Sequence, residues 1–229
     1  MEIGGLQRFS LIDYPGKICS IIFTRGCNFR CPYCHNPELV DPKRFAPLIP
    51  MDEIFYFLHK RKEKLDSVTI TGGEPLIHSD IGGFIRPIRE MGYAVKIDTN
   101  GSRPALLESL IHDKLLDYIS MDIKAPPEKY AVVAGVTVDI EAIRHSIDLI
   151  MNSGVDYEFR TTVPRSLLGP DDILAVGRLI TGARRYILQK FVPSKVLDTS
   201  FQTADTFTDD EFGMIQASLA SSVDIVTIR

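Results

Sequence analysis

Hydrophobic positions along the chain switch between two periods. Residues 18–23, Ile18-Cys19-Ser20-Ile21-Ile22-Phe23, form a nearly continuous apolar run of strand length, the pattern of a strand covered on both faces. Met51, Ile54, Phe55 and Leu58 then recur at i, i+3, i+4 and i+7, the stripe of an amphipathic helix. Further strands are predicted over 67–71, 93–97, 117–122, 157–163, 184–191 and 223–228. Between them, Ser79 is placed to cap a helix that stops at Gly92, and Pro104 opens a short helix at a favoured first position. Ile140, Ile143, Ile147, Ile150 and Met151 mark a longer helix closed by Gly154. Pro170 with two aspartates opens the next helix, and Thr208 with Glu211 forms the capping box of the last. Residues 3–16 read as an extended lead-in, and residues 37–50, with four prolines, as irregular connection.

Strand and helix alternate about six times, which implies an α/β chain with a parallel sheet and right-handed crossovers. Periodicity leaves two architectures open, a doubly wound sheet and a partial (β/α)6 barrel. In both, chemistry collects at the C-terminal ends of the strands. The unusual polar stretches all fall at that edge. Cys27, Cys31 and Cys34, spaced C-x3-C-x2-C in a loop spanning 25–36, follow the first strand. Gly72-Gly73-Glu74-Pro75 follows the second, Asp98-Thr99-Asn100-Gly101 the third, and Asp122-Ile123-Lys124 the fourth.

Cysteines this close suit one inorganic centre. Iron–sulfur clusters are held by thiolates at such spacings, usually four, so three would leave one iron of a cubane open. A Cys3His zinc knuckle using His35 and reduced structural thiols are the alternatives, although zinc pairs are typically farther apart and His35 adjoins Cys34. The two glycines of 72–75 let backbone approach something closely, and a plain turn is the alternative. Glu158, Arg160 and Thr162 share one face of the fifth strand. Arg160 there is free to hold a ligand carboxylate or ribose, or to pair with Glu158. Gln189 is a weaker candidate of the same kind, and His78, His112 and His145 fall outside the motifs.

Composition narrows the class. The 229 residues are 45% hydrophobic and 24% charged, enough for one large core without disulfides, and a single domain over 1–229 is expected. A net charge of −4 gives no reason to expect nucleic acid as the main partner. No apolar run is long enough to span a membrane, and the N-terminus lacks a signal-peptide pattern. Cysteines grouped three in one loop point to a metal site in a reducing cytoplasm, with Cys19 a small buried hydrophobe in a strand.

The cysteine spacing with Tyr33 before the last cysteine resembles the radical S-adenosylmethionine (SAM) superfamily, and the GGEP motif matches that family letter for letter. Cys34-His35-Asn36, Asp98-Thr99-Asn100-Gly101 and Asp122-Ile123-Lys124 resemble its glycyl-radical-enzyme activating branch. Ser10-Leu11-Ile12-Asp13-Tyr14-Pro15-Gly16-Lys17 and residues 158–163 look like the activating proteins of anaerobic ribonucleoside-triphosphate reductases. The resemblance implies a partial (β/α)6 barrel in which Cys27, Cys31 and Cys34 hold a [4Fe–4S] cluster. SAM would chelate its open iron and be cleaved to a 5′-deoxyadenosyl radical. SAM contacts are implied at Tyr33, Gly72, Gly73, Glu74, Asp98, Asn100, Lys124 and Arg160. A monovalent cation is implied at Asp98, Thr99, Asp122 and a carbonyl near Ser120; oxygen ligands suit a hard cation. The implied partners are a glycyl radical enzyme, which presents a glycine at the open edge, and a flavodoxin or ferredoxin as reductant. A small-molecule or RNA enzyme resembling 7-carboxy-7-deazaguanine synthase is the alternative within the family. A zinc-binding interaction module is the alternative outside it.

Overall fold

The computed structural model describes all 229 residues. Eight strands form one sheet in strictly sequential order: β1 (Ile3–Ser10), β2 (Cys19–Thr24), β3 (Ser67–Gly72), β4 (Ala94–Thr99), β5 (Tyr118–Asp122), β6 (Asp156–Val163), β7 (Ala183–Lys190) and β8 (Val223–Ile228). All neighbours from β2 to β8 are parallel, and β1 runs antiparallel to β2. Order decides between the two architectures. A doubly wound sheet reverses direction at a switch point, whereas right-handed crossovers that never reverse put every helix on one face. Strand twist then curls the sheet around its other face. Strands β1 and β8 are not hydrogen-bonded to each other, so the result is a partial barrel.

The helices are α1 (Pro37–Val40), α2 (Met51–Arg61), α3 (Ile81–Glu90), α4 (Pro104–His112), α5 (Tyr130–Ala134), α6 (Ile140–Asn152), α7 (Pro170–Leu179) and α8 (Asp209–Leu219). Several expectations change. The lead-in is the edge strand β1, obscured in sequence by its glycines and by two register irregularities. The proline-rich connection contains α1 and a single 3-10 turn at Pro42–Arg44. Asp80, not Ser79, precedes α3, with no side-chain cap. The Thr208–Glu211 capping box forms as read, and Gly92 and Gly154 take the left-handed conformation just past their helices.

The two faces of the strands differ in chemistry. Val68, Ile70, Val95, Ile97, Ile119, Met121 and Phe159 belong to the main core. Thr69, Lys96, Ser120 and Glu158 alternate with them and are equally buried. Both faces are thus covered, but the inner one is polar above a small plug of Tyr14, Cys19, Ile21 and Tyr118. Cys19 is fully buried there.

Candidate functional site

A cavity of about 250 Å³ lies at the C-terminal ends of the parallel strands. It is lined by Cys27, Cys31, Cys34, Tyr33, Gly72, Gly73, Glu74, Asp98, Thr99, Asn100, Asp122, Lys124 and Arg160, among others. The motifs dispersed over the chain therefore meet in one place. Ser120 is the exception: its hydroxyl sits one layer deeper and donates to Glu158 at 3.0 Å.

The two glycines of 72–75 are required by the protein's own backbone. Gly72 has φ +116°, and a Cβ there would meet the Thr24 backbone at 2.5 Å. A Cβ on Gly73 would stand 1.9 Å from the Gly26 carbonyl of the cysteine loop. The turn and the loop are thus in direct contact, and Glu74 N–H donates to that same carbonyl at 2.8 Å. The Glu74 side chain is buried and accepts from Leu76 N–H (3.0 Å), Thr99 Oγ1 (2.7 Å) and Asn100 N–H (2.6 Å). It therefore ties the turn after β3 to the turn after β4.

Burial pushes the Glu74 carboxyl up to about 7, against the hydrogen bonds that favour its charge. The unfolded chain gives up this proton near pH 4.5. Between those values the folded state holds more protons, so stability falls as pH rises. Glu74→Gln should flatten that part of the pH dependence in thermal melts of metal-free protein, while lowering stability because Asn100 N–H loses its acceptor. An unchanged slope would mean that Glu74 does not titrate in this window.

The cysteine loop is held from four sides. Beyond the Gly26 carbonyl, Arg30 N–H donates to Ala134 O (2.8 Å) at the end of α5. Asp198 N–H donates to Pro32 O (2.9 Å), and Leu197 N–H to Cys34 O (3.0 Å). Asn28 bonds to the turn after β4. His35 stacks on Phe191 with centroids 5.5 Å apart, and its Nε2 lies 3.0 Å from Val192 O. His78, expected outside the site, anchors the loop's start through Arg25 O at 3.0 Å.

All three cysteines are free thiols. Burial pushes Cys27 up to about 12, with Glu74 adding to the effect. Burial also raises Cys31 and Cys34. Such thiols become thiolates only when a metal compensates the charge. No three acidic, histidine or cysteine groups converge tightly enough for a single ion. Three thiols lining one cavity are a donor set that fits an iron–sulfur cluster. The Tyr33 hydroxyl, almost fully buried beside them, has no hydrogen-bond partner.

The cavity floor is a charged layer. Arg160 Nε donates to Asp122 at 2.8 Å, and its Nη1 to Asp98 at 3.2 Å. Lys124 donates to Asp122 at 3.1 Å, and Lys96 pairs with Asp98. Burial alone would raise both carboxyls, but the cations outweigh it: Asp98 is lowered by Arg160 and Lys96, and Asp122 is held at about 2 by Arg160 and Lys124. Arg160 thus pairs with these aspartates and not with Glu158. Glu158 instead accepts from Tyr118 and Ser120. The Thr162 hydroxyl donates to Gln189 at 3.2 Å. His112 and His145 are exposed on the surface, away from the cavity. Sequence reasoning passed over Lys96 and Asn28. A lysine inside an otherwise apolar strand was the available signal for the first.

Fold and site together define a partial-barrel enzyme whose thiol loop lies at the mouth formed by the strand C-termini. The chain belongs to the radical SAM superfamily, which it matches over residues 21–172. That family uses a [4Fe–4S] cluster and SAM. A protein of Methanocaldococcus jannaschii that carries the provisional name of a glycyl-radical enzyme activating enzyme is 33% identical over 236 residues, covering 99% of this chain and 95% of that protein. A 7-carboxy-7-deazaguanine synthase of Methanothermobacter thermautotrophicus is 38% identical over 107 residues, covering 45% of this chain and 41% of that protein. Streptococcus suis SuiB bound to SAM is similar in fold, with TM-score 0.68 at 14% identity over 91% of this chain and 49% of that one. No helix is long and apolar enough to cross a membrane.

Proposed function

We propose that this chain is a radical SAM activating enzyme acting on a glycyl radical enzyme, of which an anaerobic ribonucleoside-triphosphate reductase is the specific candidate. The observation that carries the reading is the single cavity joining three free thiols to the turns after β3, β4 and β5. The similarity over 99% of the chain to the protein provisionally named an activating enzyme supports the branch, since the similarity to deazaguanine synthases covers 45% to 55% of the chain. A cytoplasmic setting and a flavodoxin- or ferredoxin-type reductant go with this reading.

Cys27, Cys31 and Cys34 would hold the cluster, and when bound it supplies the electron that cleaves SAM at the sulfonium. The protein's residues orient and insulate. Lys124 and Arg160 offer the cavity positive charge for a SAM carboxylate. Tyr33 contributes a ring wall and an unsatisfied hydroxyl. Glu74 and Asn100 keep the turns after β3 and β4 in register. Three cations (Lys96, Lys124, Arg160) already answer the two carboxylates Asp98 and Asp122, and the Thr99 hydroxyl is given to Glu74. We therefore assign the expected cation's place between the aspartates to the Arg160 guanidinium.

The test is SAM cleavage by anaerobically reconstituted, dithionite-reduced protein, with 5′-deoxyadenosine followed by chromatography. Wild type should release it and Cys31→Ala should fall to background. Incubation with a glycyl radical enzyme should then give a glycyl radical signal in electron paramagnetic resonance. Release by the cysteine variant at the wild-type rate would sink the cluster assignment. A 7-carboxy-7-deazaguanine product without any glycyl radical would favour the synthase reading.

A further inference from the structure

Between Cys27 and Cys31 the loop reaches the turn after β4 through one side chain. Asn28 Nδ2 donates to Ser102 Oγ at 2.8 Å, and its Oδ1 accepts from Asn100 Nδ2 at 3.0 Å. The triangle closes where Ser102 N–H donates to Asn100 Oδ1 at 3.0 Å. We propose that Asn28 is a positioning residue for the cluster, with Asn100 and Ser102 as its fixed post. This rests on the reading that Cys27, Cys31 and Cys34 hold a cluster, and it gives Asn100 a role other than contact with SAM.

The post is rigid for visible reasons. Asn100 N–H is tied to buried Glu74. Gly101 has φ +75°, its N–H donates to Thr99 Oγ1 at 3.1 Å, and its carbonyl accepts from buried Ser146 at 2.7 Å. Asn28 is the part that such a post would hold. An amide meets the requirement because it offers a donor and an acceptor side by side. Its place in the chain gives the contact a chemical consequence. Phe29 N–H points at Cys27 Sγ, 3.3 Å away. Asn28 is the residue between them, so anchoring its side chain fixes the peptide that aims that N–H. Hydrogen bonds to ligating sulfurs help set the potential of iron–sulfur clusters, and partners of ligating residues commonly govern metal retention by 10- to 100-fold.

The experiment compares wild type, Asn28→Ala, Asn100→Ala and the double variant after anaerobic reconstitution. Three readouts are taken: iron release to a chelator, the paramagnetic resonance spectrum of the reduced protein, and melting of iron-free protein. Asn28→Ala should release iron about 10-fold faster and shift the spectrum. Iron-free melting should move by no more than about 4 °C, since the loop keeps its backbone anchors. The double variant should be no worse than the worse single one, because both remove the same contact. Asn28→Asp should recover most of the retention, since the Ser102 hydroxyl can turn and donate to the new carboxylate. The proposal is overturned if wild type loads iron and Asn28→Ala holds it equally well, or if the two single effects multiply. A wild type that loads no cluster removes the reading beneath it, and this one with it.

Discussion

Gly73→Ala should lower the melting temperature by about 6–12 °C and abolish iron loading. The added Cβ would stand 1.9 Å from the Gly26 carbonyl carbon's oxygen, and neither backbone is free to retreat. Gly73 N–H is bonded to Thr24 O at 2.9 Å, Glu74 N–H to Gly26 O at 2.8 Å, and Gly26 N–H to Leu39 O at 2.7 Å. Overpacking of a fixed site costs about 1–3 kcal/mol, and the upper end applies where both partners are backbone. For a chain of this size each kcal/mol is about 2–4 °C. Gly83→Ala is the control. It lies in α3 with nothing within 4 Å of a new Cβ, and it should stabilise by about 0.5–1 kcal/mol. If Gly73→Ala melts with the wild type and loads iron, the contact between turn and cysteine loop is not a constraint.

Arg160→Met should cost about 1.5–3 kcal/mol near pH 8, because it takes from two partly buried carboxylates the cation they share and leaves each with its lysine alone. Wild type should behave oppositely to the variant as pH changes. Its Asp98 and Asp122 are held below the usual carboxylate range, Asp122 at about 2. Between that value and the unfolded value near 4 the unfolded chain holds more protons. The stabilisation is therefore complete above about pH 4 and lost as pH falls toward 2. In the variant, burial and the mutual repulsion of the aspartates raise both groups. Its deficit should be largest at alkaline pH and shrink as they take up protons. The freed oxygens should also recruit a monovalent cation. Replacing potassium with tetramethylammonium at constant ionic strength should weaken SAM binding to the variant and leave wild type unchanged. Cation-dependent binding in wild type would contradict the place given to Arg160. Denaturation of metal-free protein over pH 2–8 measures the stability effects, and SAM titration near pH 8 measures the cation dependence.

What the sequence disclosed follows the range of each interaction. The cysteine spacing and the capping box at Thr208 are local, and both are read directly. The turns after β3, β4 and β5 were legible as unusual, and strand–helix alternation was enough to place them on one edge. Their partners were not. Arg160 meets Asp122 because β5 and β6 pair in the register that sets these two side by side, and no local pattern states that register. In the sequence alone the glycine pair makes room for something outside the protein. The close neighbours in the fold are the backbones of Thr24 and Gly26. Strand order, which selected the barrel, is likewise a property of crossovers and not of periodicity. Lys96 was hidden because a charged residue in a short apolar strand makes sense only once the inner face is known to be polar.

The four anchors of the cysteine loop have a consequence for how the protein is made. They come from segments near residues 74, 100, 134 and 198, in that order along the chain. The thiols emerge from the ribosome early and their last anchor emerges late. At about 5–20 residues per second, the 171 positions from Cys27 to Asp198 take roughly 10–30 s to synthesise. During that interval the loop that carries the three sulfurs lacks its anchors at Leu197 and Asp198. The pocket proposed for the cluster is therefore complete only once the segment near residue 198 has folded onto Pro32 and Cys34.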